Sequence, residues 1–451
     1  MRTTVTTSSL QQADLDHVWH PFHLASSYTE TQFLAVAGEG PYLIDEAGRR
    51  YLDAISGLWT VSLGYSEHRI IDAIHEQLKK LPSLSLIVGS HEPSIKLPTH
   101  LAKLAPGRLN VAFFTSGGSE SVETAIKLAR HVATVRNQPA RRKILALQGA
   151  YHGMSYGALS ATGVTVDRWQ FGALLPEIVH CASPQTMLRS GRSISESEDC
   201  IAEVERALDF HGPDTFAAVL VEPVMGVGGM IPPPQGYLQA LRELCNQFGI
   251  LLVFDEVATG CGRTGEWFAA SKFQVVPDMI VLAKGLTSGY LPLGAVLIDE
   301  AIFDACENAS SPFMHGFTFG GNPSACAAAL ACLEAIECDG LLQKVASDGD
   351  YLAQQFRSAA RELSCIRQVR AVGLMLAVDF CDPVDPGKFV HPEFGKIVQR
   401  VARQNGVIIR PTYGGTTFNF APPFICTPDQ LNHIVAATRD GIEAALRGKI
   451  P

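Results

Sequence analysis

The chain has 451 residues, 47% of them hydrophobic and 18% charged, with a formal net charge of -9 at pH 7. This length exceeds one compact core of ordinary size, so we expect two or three domains. The sequence has no basic block that would follow a nucleic-acid backbone, and its longest apolar runs are too short to cross a bilayer. We therefore expect neither a nucleic-acid partner nor a membrane partner.

Eleven cysteines are scattered singly between Cys181 and Cys426, without a CxxC pair. This pattern is typical of reduced thiols rather than of a disulfide framework or a zinc site. The 14 histidines show no ligand spacing, so no metal site is predicted. The first nine residues, MRTTVTTSS, lack the apolar segment of a secretory signal. The pattern predicts a cytoplasmic protein.

The first predicted elements are a hairpin and two helices. PYLIDEAGRRYLDA, at residues 41–54, has two short apolar runs around a turn. Helical patterns follow at residues 69–81 and 93–104, the second with a proline suited to a first turn.

From about Val111, short apolar strands alternate with helical stretches or loops. The strands are VAFF, KILAL, AAVLV, ILLVF, MIVLA and GAVLI. Such alternation is typical of a largely parallel sheet covered on both faces. A long helix near Ser324, the run VGLMLAVDF, a helix at 392–405, the strand VIIRP and a last helix at about 427–446 complete the chain.

This order of elements predicts three parts. An N-terminal segment at residues 1–65 packs with the small domain, a large domain covers residues 66–322, and a C-terminal small domain covers residues 323–451.

The strongest local signal is a pair of strand ends, ILLVFDE and MIVLAKG. The first strand stops at Asp255 and the second at Lys284. In an open parallel sheet, ligands bind outside the carboxyl ends of the strands, so both side chains would face one crevice. A structural ion pair is the competing interpretation. Partial desolvation would lower the pKa of Lys284, as Schiff-base chemistry requires.

Two further motifs follow strand ends. TSGGSES at residues 115–121 precedes a helix and offers an anion site, although Gly-Ser turns also simply cap helices. GAYHG at residues 149–153 supplies Tyr151, which could stack on a planar ring, and His152, which could support a carboxylate; ordinary packing is the alternative. A phosphate cradle, a ring platform, an acid and a lysine together match the needs of one cofactor.

The sequence resembles the class III, or omega-amino-acid, branch of fold-type-I pyridoxal-phosphate aminotransferases, from about His20 to the last helix. The segments that carry the resemblance are HPF (20–22), SGLWTV (56–61), TSGGSES, YHG, VEPV (221–224), FDEVATGCGRTGEWF (254–268), LAKGLTSGYLPLGAV (282–296) and HGFTFGGNP (315–323). The resemblance implies an α/β large domain with a mostly parallel seven-stranded sheet between helices, and a smaller α+β domain built from the N-terminal segment and the C-terminal part.

The resemblance also implies the cofactor, pyridoxal 5'-phosphate, and a role for each site residue. Lys284 would carry the cofactor as an aldimine and then act as general base, while Asp255 would keep the ring nitrogen protonated. Tyr151 and Val257 would enclose the ring. The remaining cofactor-binding residues would be Gly118, Ser119, His152, Glu222 and Thr318.

Two of these assignments have consequences beyond the cofactor. Thr318 would reach the phosphate of the neighbouring subunit's cofactor, which implies a homodimer with shared active sites; a tetramer of two dimers is left open. Glu222 would support the site, with an ordinary buried acid as the alternative.

The resemblance assigns a substrate pocket as well. Arg410 would bind a substrate carboxylate bidentately and swing away for an uncharged amine; otherwise it is a surface arginine. The other predicted substrate residues are Phe22, Leu58, Trp59 and Tyr151, with structural packing as the alternative for Phe22 and Trp59. Among the subgroups, SGLW and HGFTF are most similar to the omega-amino-acid–pyruvate aminotransferases. Met225 and Val227 depart from the residues common there and suggest a differently shaped pocket.

We therefore expect a transaminase that moves an amino group from an omega-amino acid or other primary amine to an oxo acid, with pyruvate as the expected acceptor, by a ping-pong mechanism. The alternatives are an enzyme resembling diaminopelargonate synthase and a pyridoxal-phosphate racemase on the same fold. GMSYG, at residues 153–157, also fits the GxSxG motif of serine hydrolases, but a loop separates it from the strand KILAL.

Overall fold

The computed structural model describes residues 9–24, 28, 32–189, 197–385, 387–412 and 415–448. Within these residues, the central element is a seven-stranded sheet in which only Gly294–Ile298 runs antiparallel to the other strands. The predicted α/β class with a mostly parallel sheet is confirmed. In order across the sheet, the strands are Val111–Thr115, Gly294–Ile298, Met279–Leu282, Leu251–Asp255, Phe216–Val221, Lys143–Leu147 and Ile178–Cys181.

Alternate residues of the central strands face opposite sides of the sheet. In Leu251–Asp255, Leu252 and Phe254 belong to one hydrophobic core, whereas Leu251 and Val253 belong to another. Because both faces are covered, the strands are continuous apolar runs in the sequence. Polar side chains that act on a ligand are therefore placed at the strand ends.

Helices surround the sheets, and several begin at a capping side chain. Asn322 caps Pro323–Cys338, and Thr427 caps Pro428–Arg447. No helix in the described part of the chain combines the length and apolar character needed to span a membrane. The other helices are Ser9–His17, His68–Lys80, Glu92–Leu104, Gly118–Val135, Tyr156–Ala161, Thr165–Arg168, Pro184–Arg189, Ser197–His211, Tyr237–Phe248, Ala269–Lys272, Glu300–Glu307, Leu341–Ala360 and Pro392–Gln404, with a short helical turn at Ser56–Trp59.

Two smaller sheets have four strands each among the described residues, and the first of them joins the N-terminal and C-terminal parts of the chain. The first contains Ala35–Glu39, Tyr42–Asp45, Arg50–Asp53 and, parallel to the last of these, Val407–Ile408. The second contains, in order, Ile366–Val372, Met375–Phe380, Thr417–Phe420 and Arg410–Thr412. The predicted hairpin is present, and the domain limits at residues 65 and 322 stay a prediction.

The prediction of VIIRP as one strand is wrong. Val407–Ile408 pairs with the N-terminal hairpin, whereas Arg410–Thr412 pairs antiparallel with Thr417–Phe420. Between them lies Ile409, which is 1% exposed. A short apolar run has the same pattern whether it forms one strand or two, because its residues are buried in both cases. Arg410 therefore begins a strand in the C-terminal sheet.

Candidate active site

The strands that lead to Asp255 and Lys284 are neighbours in the central sheet. Leu251–Asp255 and Met279–Leu282 run parallel, and Asp255 is opposite Val281 in the register. Asp255 is the last residue of its strand, and Lys284 follows shortly after the end of the adjacent strand. Both side chains consequently lie at one edge of the sheet.

Lys284 lies in a strained backbone conformation. Its φ is 43°, in the left-handed region that residues with a Cβ rarely adopt. Nζ lies 4.9 Å from the centroid of the Trp59 ring. Burial lowers the pKa of the Lys284 ammonium, and the negative charges of Asp255 and Glu222 oppose this shift. A lowered pKa increases the fraction of neutral amine, which is the form that attacks a carbonyl carbon.

The carboxylate of Asp255 is 4% exposed and is held at both oxygens. Nδ1 of His152 lies 2.7 Å from Oδ2, and the backbone N–H of Val257 donates to Oδ1 at 3.1 Å. The His152 ring is buried as well, and its Nε2 has no hydrogen-bond partner among the described residues. An acid fixed in this way can hold a proton on a ring nitrogen placed beside it.

The N-terminus of the helix Gly118–Val135 faces the same cavity. Oγ of Ser119 accepts a hydrogen bond of 3.1 Å from the backbone N–H of Met154. A Cβ at Gly118 would lie 3.0 Å from a methyl carbon of Val257, so a side chain here would crowd Val257. A helix N-terminus that a ligand can approach closely is suited to bind phosphate.

Glu222 fixes the loop that contains Tyr151. Its Oε1 accepts from the backbone N–H of Tyr151 and its Oε2 from that of Gly226, both at 2.7 Å. Burial raises the pKa of Glu222 to about 7. Burial also raises the pKa of the Tyr151 phenol, and the positive charge of Arg410 opposes that rise. Arg410 therefore lies within electrostatic range of this part of the site.

A cavity of about 170 Å³ brings these side chains together. Of the predicted residues, it is lined by Trp59, Gly118, Ser119, Tyr151, His152, Glu222, Asp255, Val257 and Lys284. Gly153, Val227 and Ala258 line it too and were not predicted as site residues. The motifs GAYHG and DEVATG contained Gly153 and Ala258, whereas for Val227 the only signal was its departure from the residues common in the subgroup.

Four predicted residues do not line this cavity. Phe22 is 66% exposed and Leu58 is 48% exposed. Arg410 is exposed at the start of its strand, and Thr318 is exposed in the loop before Pro323–Cys338. Their roles toward substrate and toward a neighbouring subunit stay predictions.

The GxSxG match is not a nucleophile elbow in this structure. The strand Lys143–Leu147 is separated by a loop from the short helix Tyr156–Ala161, before which Ser155 lies. Oγ of Ser155 donates to Oε1 of Glu123 at 2.7 Å. An elbow requires the nucleophile on a sharp turn directly between strand and helix, so this serine is part of an ordinary helix start.

The residues around the cavity fit a pyridoxal-phosphate group. The helix N-terminus at Gly118 and Ser119 suits the phosphate, the buried carboxylate of Asp255 suits a protonated ring nitrogen, and the amine of Lys284 suits the aldehyde carbon. The sheet and the cavity together define a pyridoxal-phosphate enzyme of fold type I.

Comparisons with known proteins give the family. The model of the family "Aminotransferase class-III" matches residues 24–442. The beta-alanine–pyruvate aminotransferase of Pseudomonas aeruginosa is 35% identical over 441 residues, which cover 95% of each chain. The adenosylmethionine-8-amino-7-oxononanoate aminotransferase of Geobacter sulfurreducens is 33% identical over 449 residues, 98% of each chain.

A solved structure supports the same assignment. An amine transaminase from an uncultivated Pseudomonas species, crystallised in its PLP-bound form, matches with a TM-score of 0.91 and 34% identity, over 95% of this chain and 99% of that one. The chain belongs to the class III aminotransferases. It is a pyridoxal-phosphate-dependent aminotransferase similar to omega-transaminases, and it takes an amine donor and an oxo-acid acceptor.

Proposed function

We propose that the enzyme moves an amino group from an omega-amino acid or another primary amine to pyruvate, in two half-reactions that use one site in turn. The observation that carries this proposal is the cavity in which Lys284, with its lowered pKa, lies beside the His152–Asp255 pair. Pyruvate as acceptor is supported by the similarity to the beta-alanine–pyruvate aminotransferase of Pseudomonas aeruginosa.

Each residue around the cavity has a separate role in this reaction. Lys284 would hold the cofactor through Nζ and, when free of it, would carry a proton at Nζ beside the substrate carbon. Asp255 would hold a proton on the ring nitrogen, and His152 keeps the carboxylate in place. When bound, the cofactor would supply an electron sink for the negative charge that develops on the substrate carbon. Tyr151 and Val257 would enclose its ring.

Arg410 would allow one site to accept both an oxo acid and an amine that has no carboxylate. An oxo acid brings a carboxylate, which a guanidinium can bind through two parallel hydrogen bonds, whereas an amine without a carboxylate needs the arginine to move away. Arg410 is exposed and lies in electrostatic range of Tyr151, so it has the freedom and the location for this exchange.

We also propose a homodimer as the working form. Several large apolar side chains are exposed in two segments: Ile87 and Val88 are 79% and 80% exposed, and Met314 and Phe319 are 84% and 67% exposed. The segments adjoin, since a Cβ at Gly316 would lie 3.9 Å from Cδ1 of Ile87. A cluster of this kind marks a protein interface. Thr318 lies in the second segment and would contribute to the partner's site.

A second candidate is an enzyme of the diaminopelargonate-synthase type. The relative from Geobacter sulfurreducens has almost the same identity and coverage as the pyruvate-dependent one, so overall similarity does not separate the two substrates.

The test separates the half-reactions. Holoenzyme is mixed with one amine, freed of it by gel filtration, and then given pyruvate, 8-amino-7-oxononanoate or buffer. The proposal predicts that β-alanine loads the enzyme and that pyruvate then yields one alanine per active site. Loading by S-adenosylmethionine instead of β-alanine would favour the second candidate. Loss of chirality of an amino acid without any acceptor would favour a racemase.

A second measurement checks the role of Lys284 without turnover. Holoenzyme is reduced with borohydride and digested, and the cofactor adduct is located by mass spectrometry. We expect the adduct on the peptide that contains Lys284 and no adduct in Lys284→Ala. An adduct on another lysine would contradict the assignment.

A further inference from the structure

The loop that carries Val227 into the cavity is rich in glycine. Its ends are joined by two backbone hydrogen bonds of 3.0 Å, one in each direction between Met225 and Ile231. Between them lies GVGGM, in which Gly229 has a φ of 114°. Glycine lowers the cost of this conformation but also leaves the free loop many alternatives. Inside the loop, the N–H groups of Gly229 and Met230 both donate to the carbonyl of Gly226, at 3.0 and 3.1 Å, so the other loop carbonyls depend on donors from outside.

Three buried side chains from outside the loop donate to its carbonyl groups. Nε2 of Gln185 donates to the carbonyl of Gly228 at 2.8 Å. Arg370 donates to the carbonyl of Gly229 twice, from Nε at 3.1 Å and from Nη2 at 2.8 Å. Nδ2 of Asn419 donates to the carbonyl of Gly226 at 3.3 Å. The three side chains are 3%, 5% and 1% exposed, in that order.

The arginine is itself fixed. Its guanidinium forms a two-point ion pair with Asp379, in which Nη2 lies 2.8 Å from Oδ1. Asp379 also accepts a hydrogen bond of 2.8 Å from Oγ1 of Thr417, and Nη1 of Arg370 donates to Oε1 of Gln368 at 2.8 Å. A planar guanidinium held at both ends can place its remaining donors accurately.

The donors come from elements distant from the loop in sequence. Arg370 lies on Ile366–Val372 and Asn419 on Thr417–Phe420, both in the C-terminal sheet. In that sheet Asn419 is directly opposite Arg410. The sheet that carries the predicted carboxylate-binding arginine thus also holds the loop that forms one wall of the cavity.

The wall has little freedom on its other side. A Cβ at Gly226 would lie 2.9 Å from Cζ3 of Trp59, so the loop backbone already packs against the indole. Trp59 and Val227 both line the cavity of about 170 Å³. In a hydrophobic pocket, two substrates that differ by one methylene group can differ in kcat/KM by about 10- to 200-fold. A small movement of the loop would therefore alter which amines fit.

From these contacts we infer that Gln185, Arg370 and Asn419 are positioning residues that set the size of the amine the enzyme accepts, because they fix the backbone of residues 226–229 and with it the side chain of Val227. The inference rests on the proposed amine-to-pyruvate activity for its kinetic consequence. Its structural part, a loop fixed by distant donors, holds independently of the substrate.

The test uses two variants and a matched control. Arg370→Lys keeps a positive charge for Asp379 but cannot also donate twice to the carbonyl of Gly229. Gln185→Met removes one donor, keeps the side-chain volume and leaves the Arg370–Asp379 pair intact. It therefore tests whether the loop is fixed by these donors even if Arg370→Lys does not fold. Arg367→Lys is the control, because Arg367 lies on the same strand with its side chain exposed.

Two readouts are measured on each protein. Hydrogen–deuterium exchange of the peptide containing residues 224–231 is followed in the apoenzyme, and kcat/KM is determined in the holoenzyme for propylamine, pentylamine and heptylamine with pyruvate. We expect about tenfold faster exchange in both variants, since the loop loses a fixed donor. We also expect the ratio of kcat/KM for heptylamine to that for propylamine to change at least fivefold, with Arg367→Lys like the wild type.

Unchanged exchange within twofold in Gln185→Met would overturn the inference, as would an equal loss of kcat/KM for all three amines. A wild-type enzyme that transfers no amino group from any amine would instead refute the proposed function, and the exchange measurement would still decide whether the loop is fixed in this way.

Discussion

Nδ1 of His152 lies 2.7 Å from Oδ2 of Asp255, and the two side chains are almost completely enclosed by protein. The imidazole comes from the loop after one strand and the carboxylate from the end of another, so the central sheet itself fixes their separation. The pair is the place where we expect a positively charged ring nitrogen to bind in the cavity.

Removing the carboxylate should therefore abolish most of the activity. We expect Asp255→Asn to lower kcat by about 10²- to 10⁴-fold, because an amide cannot keep a ring nitrogen protonated. His152→Leu should have a smaller effect, since the acid remains but loses one of its fixed hydrogen bonds. Steady-state kinetics at saturating cofactor would check both. An Asp255→Asn enzyme with more than about a tenth of wild-type kcat would refute the role of the acid.

Arg410 is expected to discriminate between substrates with and without a carboxylate. Arg410→Ala should raise KM for pyruvate by about 10-fold or more, because charge-assisted hydrogen bonds contribute about 1.5–3 kcal/mol. KM for an uncharged amine should change less than about threefold, since the arginine is displaced in that half-reaction. Arg367→Ala is the control for loss of an exposed positive charge. Equal effects on both substrates would argue against a substrate-binding arginine.

Two buried carboxyl groups should make the stability of the apoenzyme depend on pH. Burial raises the pKa values of Glu222 and Glu256 to about 7 from the ordinary value of 4.5. Between these values the folded protein binds more protons than the unfolded chain, so the free energy of unfolding falls as the pH rises from 4.5 to 7.

The variant Glu222→Gln isolates one of the two contributions. The difference in free energy of unfolding between variant and wild type should shift by up to about 3 kcal/mol in favour of the variant from pH 4.5 to pH 7. Urea unfolding of the apoenzymes at several pH values measures it. Glu256→Gln is the matched comparison. A difference that is independent of pH would mean that the carboxyl of Glu222 titrates normally.

The exposed apolar segments should keep two copies of the chain together. Ile87→Asp places a charge where a partner is proposed to pack, so analytical ultracentrifugation should show a change from dimer to monomer. Activity should fall with it, because Thr318 would no longer reach the partner's site. Val384→Asp is the control, because Val384 is 91% exposed in a different part of the chain. A wild-type protein that sediments as a monomer at micromolar concentration would contradict the proposed assembly.

The sequence predicted the parts of the site that depend on local pattern. Asp255 and Lys284 were found because an apolar strand that ends in a charged residue is visible without knowing the rest of the fold. Val227 is linked to the pocket only by its departure from the subgroup, because its place in the cavity wall depends on Arg370 and Asn419, which are far away in the sequence. Contacts between distant segments leave no periodic signal.

The division of VIIRP into two strands is not visible in the sequence for a related reason. Both halves bury apolar residues, and the partner strands alone determine that Val407–Ile408 and Arg410–Thr412 belong to different sheets. The fold class could nevertheless be predicted, since the alternation of strands and helices in the large domain depends on local segments only.

The division of residues 407–412 between two sheets also has a consequence for shortening or fusing the protein at its N-terminus. Val407–Ile408 is anchored to Arg50–Asp53, and Ile409 alone separates it from the strand that begins with Arg410. Deleting residues 35–53 would leave that anchor without its neighbour and would loosen the start of the strand that presents Arg410. Expression designs that trim the early hairpin should therefore lose affinity for oxo acids although every residue that lines the cavity is still encoded.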